Sequence, residues 1–256
     1  QSEEAALSNG FFRVFTGMGS NRNFDNALYV RSLTGALETR ALFGAPVTKT
    51  RDKGRVSLVI DALDDASGMD IILRTLALYN LRVTFFVNGE FVRRYPRELT
   101  EILRAGHNCA SMFFTPVDLS AGGFVITPEF IKRGLARNED EFYFATNREL
   151  NPLWHTPGYV STPEIIKAGN EAGYRWVKGD IIPPDRVTLE QSISRKIPYL
   201  SASAMIENIT ASLQGGAVIP VAAGVSGGRR TDYLYEKLDV LISAILDGGY
   251  EIGPLE

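Results

Sequence analysis

The chain has 256 residues, a single cysteine, Cys109, and only two histidines, His107 and His155. One thiol excludes an internal disulfide. It leaves the compartment open, because larger secreted domains often lack disulfides. Cys109 itself reads as a buried thiol in a strand. Two imidazoles leave little material for a histidine-rich metal centre. No run approaches the roughly 20 apolar residues of a membrane-spanning helix. A net charge of -3 supplies no basic excess, so neither nucleic acid nor an anionic membrane is an expected partner. What is present, 45% hydrophobic and 22% charged residues, suits a globular chain able to bury one sizeable core.

The composition changes near residue 55. Residues 1–54 are rich in Gly, Asn and Arg, with short β-like runs at Phe11 to Phe15, Ala27 to Leu33 and Glu38 to Phe43, and a turn signal at Thr34-Gly35. A segment this size cannot make its own core, so it reads as strands packed on the main domain or as the tail of a larger β-domain. Thr48 to Gly54 reads as the linker. The opening Gln1-Ser2-Glu3-Glu4 fits either a cleaved mature terminus or an arbitrary boundary.

From Val56 onward, short apolar runs alternate with helical patterns, as in βα units feeding a parallel sheet. Strands are expected at Val56 to Ile60, Arg82 to Val87, His107 to Met112, Tyr174 to Lys178, Ala217 to Val221 and Tyr250 to Ile252. A capping box at Ser67-Gly68-Met69-Asp70 introduces a helix ending near Asn80, and Pro96 to Ala105 is another, stopped by Gly106. Thr127-Pro128-Glu129 and Thr162-Pro163-Glu164 each place a Thr cap before a proline at the first helical position. Further helices are expected from Thr188, over Ala204 to Leu213, and over Asp232 to Leu246 capped by Thr231.

Inside this pattern stands Val83-Thr84-Phe85-Phe86-Val87-Asn88-Gly89-Glu90, followed by Arg94-Tyr95-Pro96 and Gly106-His107. These markers, in this order, resemble the polysaccharide deacetylases, the NodB-homology or carbohydrate esterase 4 family. There a T-F-F-V strand leads to a short helix, then Y-P, a second helix and a G-H that opens the next strand. The resemblance implies an α/β fold, an irregular (β/α) barrel over residues 55–256, with its site at the C-terminal strand ends where parallel barrels hold their chemistry. It also implies zinc or a related divalent metal as cofactor, a polysaccharide or peptidoglycan-type glycan as substrate, and a secreted, periplasmic or cell-envelope location.

The scaffold markers are complete, whereas the chemical ones are altered. In the family's T-F-D-D-G, the first Asp is the general base and the second binds the metal. Aligned through Val56 to Ile60, this chain offers Asp61 as base and Ala62 where the metal ligand belongs. A second register matches Ala62-Leu63-Asp64-Asp65-Ala66 and keeps Asp64 and Asp65 as candidate ligands. That register places charged Asp61 inside a buried strand, which is costly unless the charge is paired. Asp64 and Asp65 also read as loop acids favoured before a helix N-terminus. The family's H-(S/T)-x-x-H falls on Met112-Phe113-Phe114-Thr115-Pro116, with no imidazole at either ligand position. Thioether and pyrrolidine groups do not replace two imidazoles on zinc, so neither the carbonyl nor the attacking water would be activated.

His107 holds the structural G-H position. His155 stands where the family's R-P-P-Y motif has the Arg that orients the catalytic Asp, and it can pair with Asp61 or Asp180. Ligation of a metal by His155 with Asp61, Asp64 or Asp65 is the other reading. Asp180 matches the fourth motif, an Asp partnering the orienting Arg, and is equally natural as a loop cap. Ala222 occupies the position of the family's general-acid His. Phe113, Phe114, Trp154 and Tyr159 read either as a sugar-stacking groove or as core. The expectation is a deacetylase scaffold without a bound metal cofactor and without amide hydrolysis, retaining a glycan-binding groove. One alternative is an active, divergent hydrolase using Asp61, Asp64 or Asp65 with His155. Another is a docking module that meets a protein partner through the N-terminal extension.

Overall fold

The computed structural model describes residues 54–116, 119 and 125–255. The expected N-terminal strands, the Thr34-Gly35 turn and the linker up to residue 53 lie outside the described residues. Elements follow in the order β1 (Arg55–Ala62), α1 (Met69–Leu78), β2 (Thr84–Val87), α2 (Gly89–Arg94), α3 (Pro96–Arg104) and β3 (Asn108–Ser111). Next come α4 (Pro128–Thr146), β4 (Asn151–Trp154), a 3-10 turn (Pro157–Tyr159), α5 (Pro163–Glu171) and β5 (Arg175–Trp176). The chain finishes with α6 (Leu189–Arg195), α7 (Ala202–Ala211), β6 (Val218–Ala223), a second 3-10 turn (Leu234–Lys237), α8 (Leu238–Asp247) and β7 (Glu251–Ile252).

The seven strands form one parallel sheet in the order β5-β4-β3-β2-β1-β6, with β7 pairing the start of β1. The sheet curls, so its two faces bury different things. Alternate residues point inward: Val59, Phe86, Ala110, Met112, Leu153, Val177 and Val218 fill the interior. Their neighbours Leu58, Ile60, Phe85, Val87, Ile219 and Val221 pack outward under the helices. Strands covered on both faces are apolar nearly throughout, as β1 and β6 are. Burying a residue the size of Phe86 or Leu58 contributes about 1.5–3 kcal/mol each. This is the irregular (β/α) barrel that the resemblance implies.

The threonine caps work as the sequence suggests: Thr127, Thr162 and Thr188 accept from the backbone N–H of Phe130, Ile165 and Gln191. Three local expectations differ. Helix α1 has Gly68 at its cap with φ 79 and no side-chain cap, because Ser67 N–H instead donates to Asp65. A Cβ at Gly68 would lie 2.2 Å from the Tyr235 ring, so glycine is required by close approach as well as by conformation. The expected helix from Asp232 is divided into the second 3-10 turn and α8, since Asp232 turns away to accept from Ala202 N–H at the start of α7. Strand β4 went unread because it is four residues long and contains Pro152, a weak strand signature.

Candidate functional site

The site grows from the inward face of β1. Asp61 shares parity with Val59 and therefore points into the barrel, one residue before the strand ends. It is 7% exposed. In register beside it stand Phe86 of β2 and Ala222 of β6. His155 follows β4, where its N–H extends the ladder by donating to the Ser111 carbonyl at 3.1 Å. Its Nε2 lies 3.3 Å from Asp61 Oδ1. The spacing is that of an ion pair, but the atoms are not aligned as a hydrogen bond, so Nε2 is a buried atom without a hydrogen-bond partner.

Aromatic rings fix the imidazole. Tyr159 stacks on it with centroids 4.0 Å apart and planes 10° from parallel, and Phe86 meets it edge-on at 4.3 Å. Nδ1 faces the Thr156 carbonyl at 2.9 Å, which requires a proton on Nδ1. Tyr159 reaches this place through a strained turn, with Gly158 at φ 68 and Tyr159 itself at φ 59. Its hydroxyl donates to Asp61 Oδ1 at 3.3 Å. Burial first, and then the Asp61 charge, hold that phenol well above its ordinary pKa, so it remains a donor.

A second carboxylate completes the group. Asp185 is 8% exposed, and its Oδ2 accepts from Ala222 N–H at 2.7 Å. Burial, reinforced by the Asp61 charge and opposed by that hydrogen bond, pushes its pKa up to about 6. Sequence reasoning did not select Asp185. The available signal was a second Asp in the loop after β5, following Pro183-Pro184.

The other candidate residues stand apart. Asp180 pairs through both its N–H and its Oδ2 with the backbone of Val218, closing the seam between the end of β5 and the start of β6. Val218 precedes Ala222 by four residues, about 13 Å along the strand. Asp180 therefore does not meet His155. Asp64 pairs with Arg186 at 3.2 Å, and Arg186 also donates to the Ala223 carbonyl. Asp65 accepts from the N–H groups of Ser67 and Val225. Burial opposes its ionisation, but those hydrogen bonds outweigh it and hold the carboxyl below the usual range.

Of the four aromatic candidates, Tyr159 alone joins Asp61 and His155. Trp154 is 0% exposed, edge-on to Trp176, and a Cβ at Gly169 would lie 2.3 Å from its indole. Phe113 lies in the cluster formed by α4, α5 and β5, against Phe130. Phe114 is nearly enclosed, with the Arg137 guanidinium 3.7 Å above its ring. His107 accepts from Val83 N–H, and burial, with a contribution from Arg82, lowers its pKa to about 4. It is a structural imidazole. Burial pushes the Cys109 thiol up to about 12, which keeps it unreactive.

The residues at the family's metal positions do not fit a metal. Ala62 lies in the outer core, Met112 is 0% exposed inside the barrel, and Pro116 is half-buried without a side-chain donor. Among the described residues, no group of three or more His, Cys, Asp or Glu side chains is arranged to hold a metal ion.

A family profile described as polysaccharide deacetylase matches residues 48–177, and the chain belongs to that family. The wild-type BA3943 protein of Bacillus anthracis, a CE4 family pseudoenzyme, is 18% identical with a TM-score of 0.65 over 82% of this chain and 67% of that one. The Bc1960 peptidoglycan N-acetylglucosamine deacetylase is 18% identical with a TM-score of 0.67, over 81% of this chain and 89% of its own. A family 4 carbohydrate esterase from Streptomyces lividans is 16% identical with a TM-score of 0.60, over 78% and 92%. At these identities the likeness is one of fold.

Proposed function

We propose that this protein is a non-hydrolytic member of the polysaccharide deacetylase family that binds a glycan at the mouth of its barrel and works in the cell envelope or outside the cell. The observation that carries this reading is the contrast between two kinds of position. The Asp61–His155 pair keeps its place, while Ala62 and Met112, where metal ligands would stand, are fully buried and offer no oxygen or nitrogen. Without such ligands nothing polarises an amide carbonyl or generates hydroxide at neutral pH. With Ala222 at the acid position, the amine leaving group has no imidazole to protonate it.

The fold supports the glycan class. Its relatives include a peptidoglycan N-acetylglucosamine deacetylase, and BA3943 sets a precedent for a member described as a pseudoenzyme. The test is release of acetate from acetylated chitooligosaccharides with added zinc, alongside zinc titration calorimetry on chelator-stripped protein. The expected result is no turnover and no zinc binding at about ten micromolar, a range of weak affinity. Zinc-dependent acetate release would overturn the reading.

One observation favours a second reading, a divergent hydrolase that works without the family's metal. Asp185 accepts from Ala222, the residue in register with Asp61, and burial with the Asp61 charge raises its pKa to about 6, a pairing suited to general acid–base chemistry. Acetate release that persists in chelator and disappears in Asp185→Asn would establish it.

A further inference from the structure

A crevice of about 270 Å³ opens at the N-terminal ends of β3 and β4, at the other end of the strands from the Asp61 group. Its walls are mostly polar. Asn108 and Asn151 begin the two strands, His107 precedes β3, and Arg148 and Glu149 belong to the loop between α4 and β4. That loop is held at both ends: Arg148 N–H donates to Thr146 Oγ1, and Leu150 N–H donates to the buried Glu139 carboxylate. The Arg148 side chain is therefore presented from a fixed backbone.

The imidazole is a fixed donor. His107 is 6% exposed, its Nδ1 accepts from Val83 N–H at 3.3 Å, and Phe85 packs against the ring at 5.0 Å. A pKa near 4 keeps the ring neutral, and a neutral ring whose Nδ1 accepts carries its proton on Nε2. Among the described residues no group accepts that proton. Two guanidinium groups supply charge: Arg148 acts on the Cys109 thiol, and Arg82 acts on His107 itself. Both of those partners are uncharged, so neither contact cancels the positive charge. Glu149, the carboxylate on the wall, has a partner of its own.

We propose that this crevice binds a small hydroxylated monocarboxylic acid, at a site separate from the barrel mouth. The inference does not depend on the glycan-binding reading. A planar carboxylate matches the Arg148 fork and leaves a lone pair for His107 Nε2–H. The Asn108 and Asn151 amides each offer both a donor and an acceptor, which suits a hydroxyl group. A doubly charged anion would meet the negative charge of Glu149. Drug-sized ligands fill roughly 300–1,000 Å³, so this volume suits an acid of only a few carbon atoms.

The test is NMR titration of the full chain at pH 7 with glycolate, with glycolamide and inorganic phosphate as comparison ligands at constant ionic strength. Glycolate is expected to shift the ring signals of His107, one of two histidines, and to leave those of His155 in place. Saturation is expected at about 1 mM or below. Glycolamide, which keeps the hydroxyl and lacks the charge, should bind at least about tenfold more weakly, and phosphate should also be weaker. Arg148 is exposed, and Arg148→Gln is expected to weaken glycolate binding at least about tenfold. No saturable shift at about 10 mM would overturn the inference, as would a shift at His155 alone or equal binding of glycolamide. Tighter binding of phosphate would overturn the carboxylate assignment.

Discussion

The phenol ring of Tyr159 lies flat on the His155 imidazole at 4.0 Å while its hydroxyl reaches past that ring to Asp61. One side chain thus clamps the histidine and gives the carboxylate a donor. The two roles separate on substitution. Tyr159→Phe keeps the stack and is expected to cost about 0.5–1.5 kcal/mol. Tyr159→Ala also loses the stack and is expected to cost at least about 1 kcal/mol more. Urea denaturation of both variants checks the order. Equal losses would mean that stacking contributes nothing.

Asp185 gives stability a defined pH dependence. Its folded pKa of about 6 lies above the ordinary 3.8, so between these values the folded protein holds more protons than the unfolded chain. Stability contributed by this group therefore falls as pH rises from about 4 to about 6 and is level above that. The full effect is at most about 3 kcal/mol. Asp185→Asn should flatten this limb and be at least as stable as wild type at neutral pH. A variant that is less stable at pH 7 by more than about 1 kcal/mol would contradict the stated origin of the shift.

Restoring a single ligand type should do harm. Met112→His places an imidazole in the apolar barrel interior beside Phe86 and Leu153, without a partner. A loss of about 1–3 kcal/mol is expected, with no gain in zinc affinity. Thermal unfolding with and without zinc measures both.

The neighbouring acids Asp64 and Asp65 should respond unequally. Asp64 forms a partly exposed pair with Arg186, and its removal is expected to cost at most about 1 kcal/mol. Asp65 accepts two backbone N–H groups that tie the start of α1 to the loop after β6. Asp65→Ala should cost about 1–3 kcal/mol. Equal losses in chemical denaturation would refute this division of roles.

Trp154 offers a control on the proposed glycan site. A methyl group at position 169 would press into its indole, so Gly169→Ala should destabilise the fold by about 1–3 kcal/mol while leaving glycan affinity unchanged. A change in affinity without loss of stability would place Trp154 in the binding surface.

Much of this protein is legible in its residues alone. The alternation of apolar runs with capped helices specified the βα rhythm. Thr127, Thr162 and Thr188 marked helix starts because a cap depends on residues only three apart. The family markers around Phe85 and His107 located the barrel, and the residue types at positions 62, 112, 116 and 222 made the loss of donor atoms readable without coordinates. Only the tertiary structure decided which acids meet. Asp64, Asp65, Asp180 and Asp185 are all loop carboxylates near strand ends. Closure between β5 and β6 draws Asp180 to Val218 and leaves Asp185 facing Ala222, beside Asp61. Trp154 passed into the core by the same logic, since the approach of α5 at Gly169 covers its face. Local sequence carries caps and facing patterns because these depend on a few adjacent residues. The pairing of side chains distant along the chain depends on strand stagger and helix approach, which are settled only when the whole barrel packs.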